Sequence, residues 1–158
     1  MSLAPTARDK LLDAAVDLVR RDGFAATGID ALCKAAGITK GAFFHHFADK
    51  EDFGVALADH WRVTTSRLFA AADYHRHADP LDRLLAYLDF REELARGSLT
   101  NLSCVVGTLV QEIHDSHPRI RAACDASIST HAATLVPDIA AAMKARRMAP
   151  TDWTAESL

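Results

Sequence analysis

Residues 27 to 53 read TGIDALCKAAGITKGAFFHHFADKEDF, and within them two short helical patterns stand three residues apart around Gly37. Ile29, Leu32, Cys33 and Ala36 recur at i, i+3, i+4 and i+7, so they make one apolar helical stripe. Thr27, followed three residues later by Asp30, predicts a capping box at the start of that helix. Gly37 then supplies the residue type best able to turn the chain, and Thr39 predicts the cap of a second helix that buries Ala42, Phe43 and Phe47. The product is a helix-turn-helix. Its second helix leaves Thr39, Lys40, Gly41, Phe44, His45 and His46 on or near the free face. No Asp or Glu occurs between Ala31 and Ala48, so a polyanion meets no like charge along that stretch of sequence.

The rest of the chain also carries helical periodicity. A first helix is expected from Thr6 or Ala7 to Arg21, burying Leu11, Leu12, Ala15, Val16, Leu18 and Val19 and stopping at Asp22-Gly23. A long fourth helix is expected to start near Asp49, with Asp52 three residues on, and to continue to about Tyr74. Phe53, Leu57, Trp61, Thr64 and Leu68 would be its inner stripe. Residues 75 to 78 predict a loop, and Asp79-Pro80 restarts helix by the cap-then-proline pattern, with Leu81, Leu84, Leu85, Leu88 and Leu94 following as far as Arg96-Gly97. Residues 98 to 113 are the most apolar helical stretch, and a last helix is expected from about Pro118 to Arg146, kinked or split at Pro137. Seven Gly and five Pro in 158 residues leave little room for the turns of a β-sandwich. The predicted class is therefore all-α, with a three-helix reader over residues 1–48 and a helical body over residues 49–158.

Charge divides along the chain. The net charge is -3, but counting residues 1 to 50 gives seven Lys or Arg against six Asp or Glu, and residues 51 to 158 give eleven against fifteen. The N-terminal part is thus the end that tolerates an anion. Its small excess excludes a general polyanion sponge and favours a few placed contacts together with helix N-termini.

At Thr27, Gly37, Lys40, Gly41, Phe43, His46, Phe47, Lys50 and Glu51 the chain resembles the tetracycline-repressor (TetR/AcrR) family of bacterial one-component regulators. The shared pattern is a helix opening at a Thr, a small-Gly-hydrophobic turn, a Lys-Gly-small-aromatic recognition helix, a His-Phe close and a Lys-Glu start to a long helix. The resemblance implies that Thr27 and Lys50 grip phosphates while the helix from Thr39 to Phe47 lies in a major groove. It also implies a body that binds a small-molecule effector and pairs two copies on a palindromic operator. Ala42 and Phe44 replace the Thr and Tyr common in the family, which removes two hydroxyls, and Gly28 is smaller than the polar residue often found beside the capping Thr. Family members usually continue with further helices that build the two-fold interface, so the expectation is a body incomplete at its C-terminal side.

The implied DNA contacts are Thr27, Gly28, Thr39, Lys40, Gly41, Phe44, His45, His46 and Lys50. The expected effector-site residues are Trp61, Cys104, Thr108, Gln111, His114, Ser127 and His131, which place polar groups on otherwise apolar helices. Cys33 reads as core packing, whereas Cys104 lies in the suspected pocket helix, so a redox-sensing or small-molecule binding module with a purely structural helix-turn-helix is the alternative. The pairs His45-His46, His75-x-His77 and His114-x-x-His117 lack the spacing of a zinc site, and neither metal nor other cofactor is expected. No nucleophile elbow or Gly-rich phosphate loop is present, so the chain is not read as an enzyme. MSLAPTARDK has no apolar run behind its charges and no later stretch is long enough to cross a bilayer. The expected compartment is the cytoplasm, with reduced thiols and no membrane partner.

Overall fold

The computed structural model describes residues 4–97, 103–148 and 154–157. Among these residues there are seven α-helices, one 3-10 turn and no strand. Helix α1, Ala7–Asp22, is closed at its start by a capping box: Thr6 accepts from the Asp9 amide at 3.2 Å and Asp9 accepts from the Thr6 amide at 3.0 Å. Leu11, Leu12, Ala15 and Val19 are its buried stripe. The helix ends at Gly23, whose φ of 87° is open only to glycine at low cost.

Helices α2, Ile29–Ala36, and α3, Lys40–His46, follow, separated by Gly37 in the left-handed region at φ 66° and ψ 35°. Thr39 caps α3 as expected, accepting from the Ala42 amide at 3.2 Å. The cap expected from Thr27 does not form. Gly28 is the N-cap of α2, with no side-chain bond, and the buried Thr27 hydroxyl donates back to the Gly23 carbonyl at 2.5 Å. The reason is local supply and demand: the turn after α1 leaves a buried carbonyl that needs a donor, and Thr27 is the group that reaches it.

Helix α4, Lys50–Ala70, is capped by Asp49, which accepts from the Asp52 amide at 2.7 Å. It stops short of Tyr74, and residues Asp73–Arg76 form the 3-10 turn instead of the expected helix end and loop. Phe53, Leu57 and Ala58 are buried as a helical stripe should be, but further along Thr64 and Leu68 are exposed and Phe69 is buried. Phe69 turns in because Tyr74, Tyr87 and Phe90 are there to receive it, forming a second apolar cluster.

Helix α5, Pro80–Ala95, begins at Asp79 as expected, with the carboxylate taking the Leu81 amide at 2.8 Å. Its inner residue is Tyr87, while Leu85 and Leu88 are exposed. Helix α6, Val105–Ile113, is the described part of the apolar stretch; residues 98 to 102 of the expected helix lie outside the described residues. Helix α7, Pro118–Ala145, passes through Pro137 without splitting. Next to that proline, Asp138 is paired with Arg83 of α5 at 2.9 Å, and both side chains are largely covered. That cross-helix tie holds the segment in place where proline removes a backbone donor.

The main core runs continuously from reader to body. Leu11, Phe43, Phe53, Leu57, Leu109 and Ile120 are fully buried in one cluster drawn from α1, α3, α4, α6 and α7. At Gly54 the helices approach closely: a Cβ there would sit 2.5 Å from the Ile120 Cδ1 and 2.9 Å from the Phe24 Cζ. A residue of any greater size would require the Ile120 and Phe24 side chains to shift.

Candidate nucleic-acid interface and body cavity

The outer face of α3 is built on a packed base. Phe43 and Phe47 anchor it, with rings 5.4 Å apart and Phe53 of α4 within 5.4 Å of both. Against that base Thr39, Lys40, Gly41, Phe44 and His45 are exposed and His46 is half-buried. Phe44 is 50% exposed, its ring edge-on to Phe43 at 5.3 Å, so an apolar side chain stands in water beside the polar ones. Gly28 is exposed with nothing within 4 Å of where a Cβ would be, and no described side chain caps the first amides of α2 behind it. Uncapped helix amides of that kind are anion donors.

Three features of this face were not readable from spacing. Asp30 of α2 reaches Lys40 at 3.0 Å, so α3 does meet a carboxylate, supplied by the neighbouring helix. Lys50 turns inward: its Nζ donates to the Ala25 carbonyl at 3.1 Å and lies 4.8 Å from the Phe24 ring centre, and burial holds its pKa below the ordinary lysine value. Thr27 is likewise tied to Gly23. Both residues therefore secure the turn between α1 and α2 from behind the exposed face.

The body contains a cavity of about 500 Å³. Trp61, Phe69 and Val106 form apolar wall, and Leu68, Leu94 and Ile128 surround it with partly exposed side chains. Of the residues expected there, Trp61, Cys104, Ser127 and His131 line it. Thr108, Gln111 and His114 do not. The cavity side of α6 is given by Cys104 and Val106, and Gln111 and His114 lie on exposed turns, with His114 3.1 Å from Asp115. Sequence reasoning missed Arg20, Thr65 and Arg91, which line the cavity from α1, α4 and α5.

His131 is held by a 2.9 Å hydrogen bond to the Tyr87 hydroxyl and packs on Phe69 with ring centres 4.5 Å apart. Burial, and secondarily the Arg91 charge, hold its pKa below the ordinary histidine value. Cys104 caps α6, its Sγ accepting from the Gly107 amide at 3.4 Å. Cys33 and Cys124 are buried; burial raises the pKa of both thiols, that of Cys124 to about 11. Among the described residues no group of three or more His, Cys, Asp or Glu side chains is arranged to hold a metal ion.

Reader and body are joined by specific polar bonds. The Arg20 Nε donates to the Ser103 carbonyl at 3.0 Å, and the Ser103 hydroxyl donates to the Arg20 carbonyl at 3.1 Å. Glu112 at the end of α6 accepts from the Ala25 amide at 2.7 Å, and Arg119 of α7 pairs with Asp52 of α4 at 3.0 Å. The helix that braces the reader thus also contributes Arg20 to the cavity wall.

Comparison with known proteins decides the family. Residues 11–57, which span α1 to the first half of α4, match the profile described as bacterial regulatory proteins, tetR family. The chain belongs to that family. TetR-family relatives extend the likeness into the body: the transcriptional regulator AcuR of Cereibacter sphaeroides is 34% identical over 111 residues, covering 70% of this chain and 50% of AcuR. The transcriptional repressor NemR of Escherichia coli K12 is 30% identical over 126 residues, covering 75% of this chain and 59% of NemR. A crystal structure of a TetR regulatory protein from Rhodobacter sphaeroides superposes with a TM-score of 0.77 at 29% identity, over 96% of this chain and 79% of that one. The chain thus spans between half and three-fifths of the length of these two curated relatives. Among the described residues, no helix is long and apolar enough to cross a membrane.

Proposed function

We propose that this tetR-family chain is a ligand-responsive transcriptional repressor that reads a palindromic operator through α3. The observation that carries the reading is the outer face of α3, where Thr39, Lys40, Gly41, Phe44, His45 and His46 are left unpacked on a rigid aromatic base. A helix offered this way suits a major groove, with Lys40 able to bond a guanine edge or a phosphate and Phe44 able to pack on a backbone sugar. Gly28 and the uncapped amides of α2 supply a phosphate seat. Thr27 and Lys50 flank that seat, and each would take a phosphate by releasing the backbone carbonyl it now holds.

Two copies are required for paired half-sites. The pairing surface falls on α6 and α7, aided by the exposed apolar side chains of Leu85, Leu88 and Ile128. A small molecule entering the cavity changes operator affinity to the extent that it prefers one arrangement of the readers. The reaction is binding alone, without catalysis, and the setting is the cytoplasm. Selection from a random duplex pool tests the reading: enrichment of an inverted repeat with half-sites about one helical turn apart is expected. Recovery of no shared sequence would leave the helix-turn-helix as a structural element only.

A further inference from the structure

We infer that the cavity takes a small organic anion, a carboxylate carried on an apolar body, and that its charged end is met by Arg20 and Arg91. This rests on the cavity being the effector site and names the chemistry of the effector. Both arginines line the space of about 500 Å³, Arg91 exposed and Arg20 half-buried. An arginine is charged at any accessible pH, so a cavity with two of them carries fixed positive charge.

Among the described residues of the wall, none balances that charge. No Asp or Glu is among the described residues lining the cavity. Eight Arg or Lys side chains in the described chain are ion-paired, and neither cavity arginine is one of them. Among the described residues, Arg20 has only the Ser103 carbonyl on its Nε and the Trp61 ring 5.5 Å from its Cζ. Arg91 has only the Tyr87 hydroxyl at 3.3 Å and the faces of Phe69 and Tyr87. Neutral acceptors and ring faces hold these groups in place without neutralising them. Arg20 is a partly buried charge of the kind normally paired, and a planar guanidinium with open N–H groups matches a carboxylate in a forked geometry.

The remaining wall sets the rest of the ligand. Trp61, Phe69 and Val106 ask for an apolar body, which rules against inorganic phosphate or sulfate as the whole ligand. Two fixed positive charges and no acid rule against an organic cation. Arg20 is also the residue through which the ligand would touch the reader. A carboxylate that draws its guanidinium competes with Ser103, the bond that ties the end of α1 to the start of α6.

The test is isothermal titration of the full chain with hexanoate, benzoate and 3-phenylpropanoate, each against its primary amide, with operator affinity followed in the same solutions. At least one carboxylate is expected to bind roughly tenfold or more tightly than its amide, since the amide leaves a charge unanswered. Arg91→Gln, at an exposed position, should lose most of that preference, and Arg20→Gln should do so as well if its circular dichroism and melting remain native. No carboxylate binding at millimolar concentration, amides binding equally well, or a preference unchanged in Arg91→Gln would each overturn the inference. Carboxylate binding that depends on the arginines but leaves operator affinity unchanged would uphold the anion site and remove the ligand-responsive reading.

Discussion

Gly23→Ala should be among the most damaging single substitutions of one methyl in this chain, and it probes the joint between reader and body. Gly23 has φ 87° and ψ 160°, a region essentially reserved for glycine, so any side chain there costs about 1–3 kcal/mol in backbone strain. A Cβ at this position would also overlap the Glu112 carboxylate. Glu112 would have to move, giving up its 2.7 Å bond from the Ala25 amide. That bond is solvent-exposed, so its loss adds about 1 kcal/mol. The sum is about 2–4 kcal/mol, and with a urea dependence of about 2 kcal/mol per molar the midpoint should fall by roughly 1–2 M. Urea unfolding followed by circular dichroism measures it. In a Glu112→Ala background the overlap is gone, so the same substitution should cost about 1 kcal/mol less. A loss below about 0.5 kcal/mol, or one that Glu112→Ala leaves unchanged, would refute the reasoning.

Phe44→Tyr should tighten operator binding by roughly 0.5–1.5 kcal/mol, the net worth of one hydrogen bond, because the exposed ring points away from the core; a gel-shift titration showing weaker binding would put Phe44 against a methyl-lined groove instead. His131 has a folded-state pKa below the ordinary value, so its contribution to stability is present above that value and is lost as pH falls through the lower folded one. His131→Gln should therefore lose less stability than the parent between pH 7.5 and pH 5 in urea titrations, and parallel losses would place the histidine outside the acid response. Light scattering over a concentration series should show a mass above that of one chain, and a constant monomer mass would remove the paired half-site mechanism for this chain.

What the sequence made legible were the features set within one turn of helix. Thr39, Asp49 and Asp79-Pro80 cap their helices as expected because a cap and its amide lie two or three residues apart. Thr27 breaks the rule through a carbonyl four residues back that burial made more demanding. The exposed face of α3 was legible because Phe43 and Phe47 fix its register, but the Asp30–Lys40 pair joins two helices and has no signature in either. The cavity shows the same division. Trp61, Cys104, Ser127 and His131 stood out as polar or aromatic groups on apolar helices, whereas Arg20 and Arg91 looked like ordinary surface charges until α1 and α5 were brought against α4 and α7. Gln111, in the last turn of α6, and His114, just past its end, are exposed and do not line the cavity.

The most direct measurement is the salt dependence of binding to the selected duplex by the parent chain and by Lys40→Ala. Reading through α3 predicts that log affinity falls linearly with log salt for the parent. Lys40→Ala should bind more weakly at every salt concentration, with a slope smaller by about 0.9 for each phosphate that the lysine neutralises. Asp30 does not protect Lys40 from this test, since an exposed ion pair is weak beside a phosphate array. Two superimposed lines, or a parent chain whose binding ignores salt, would contradict the assignment of α3 as the DNA-reading helix.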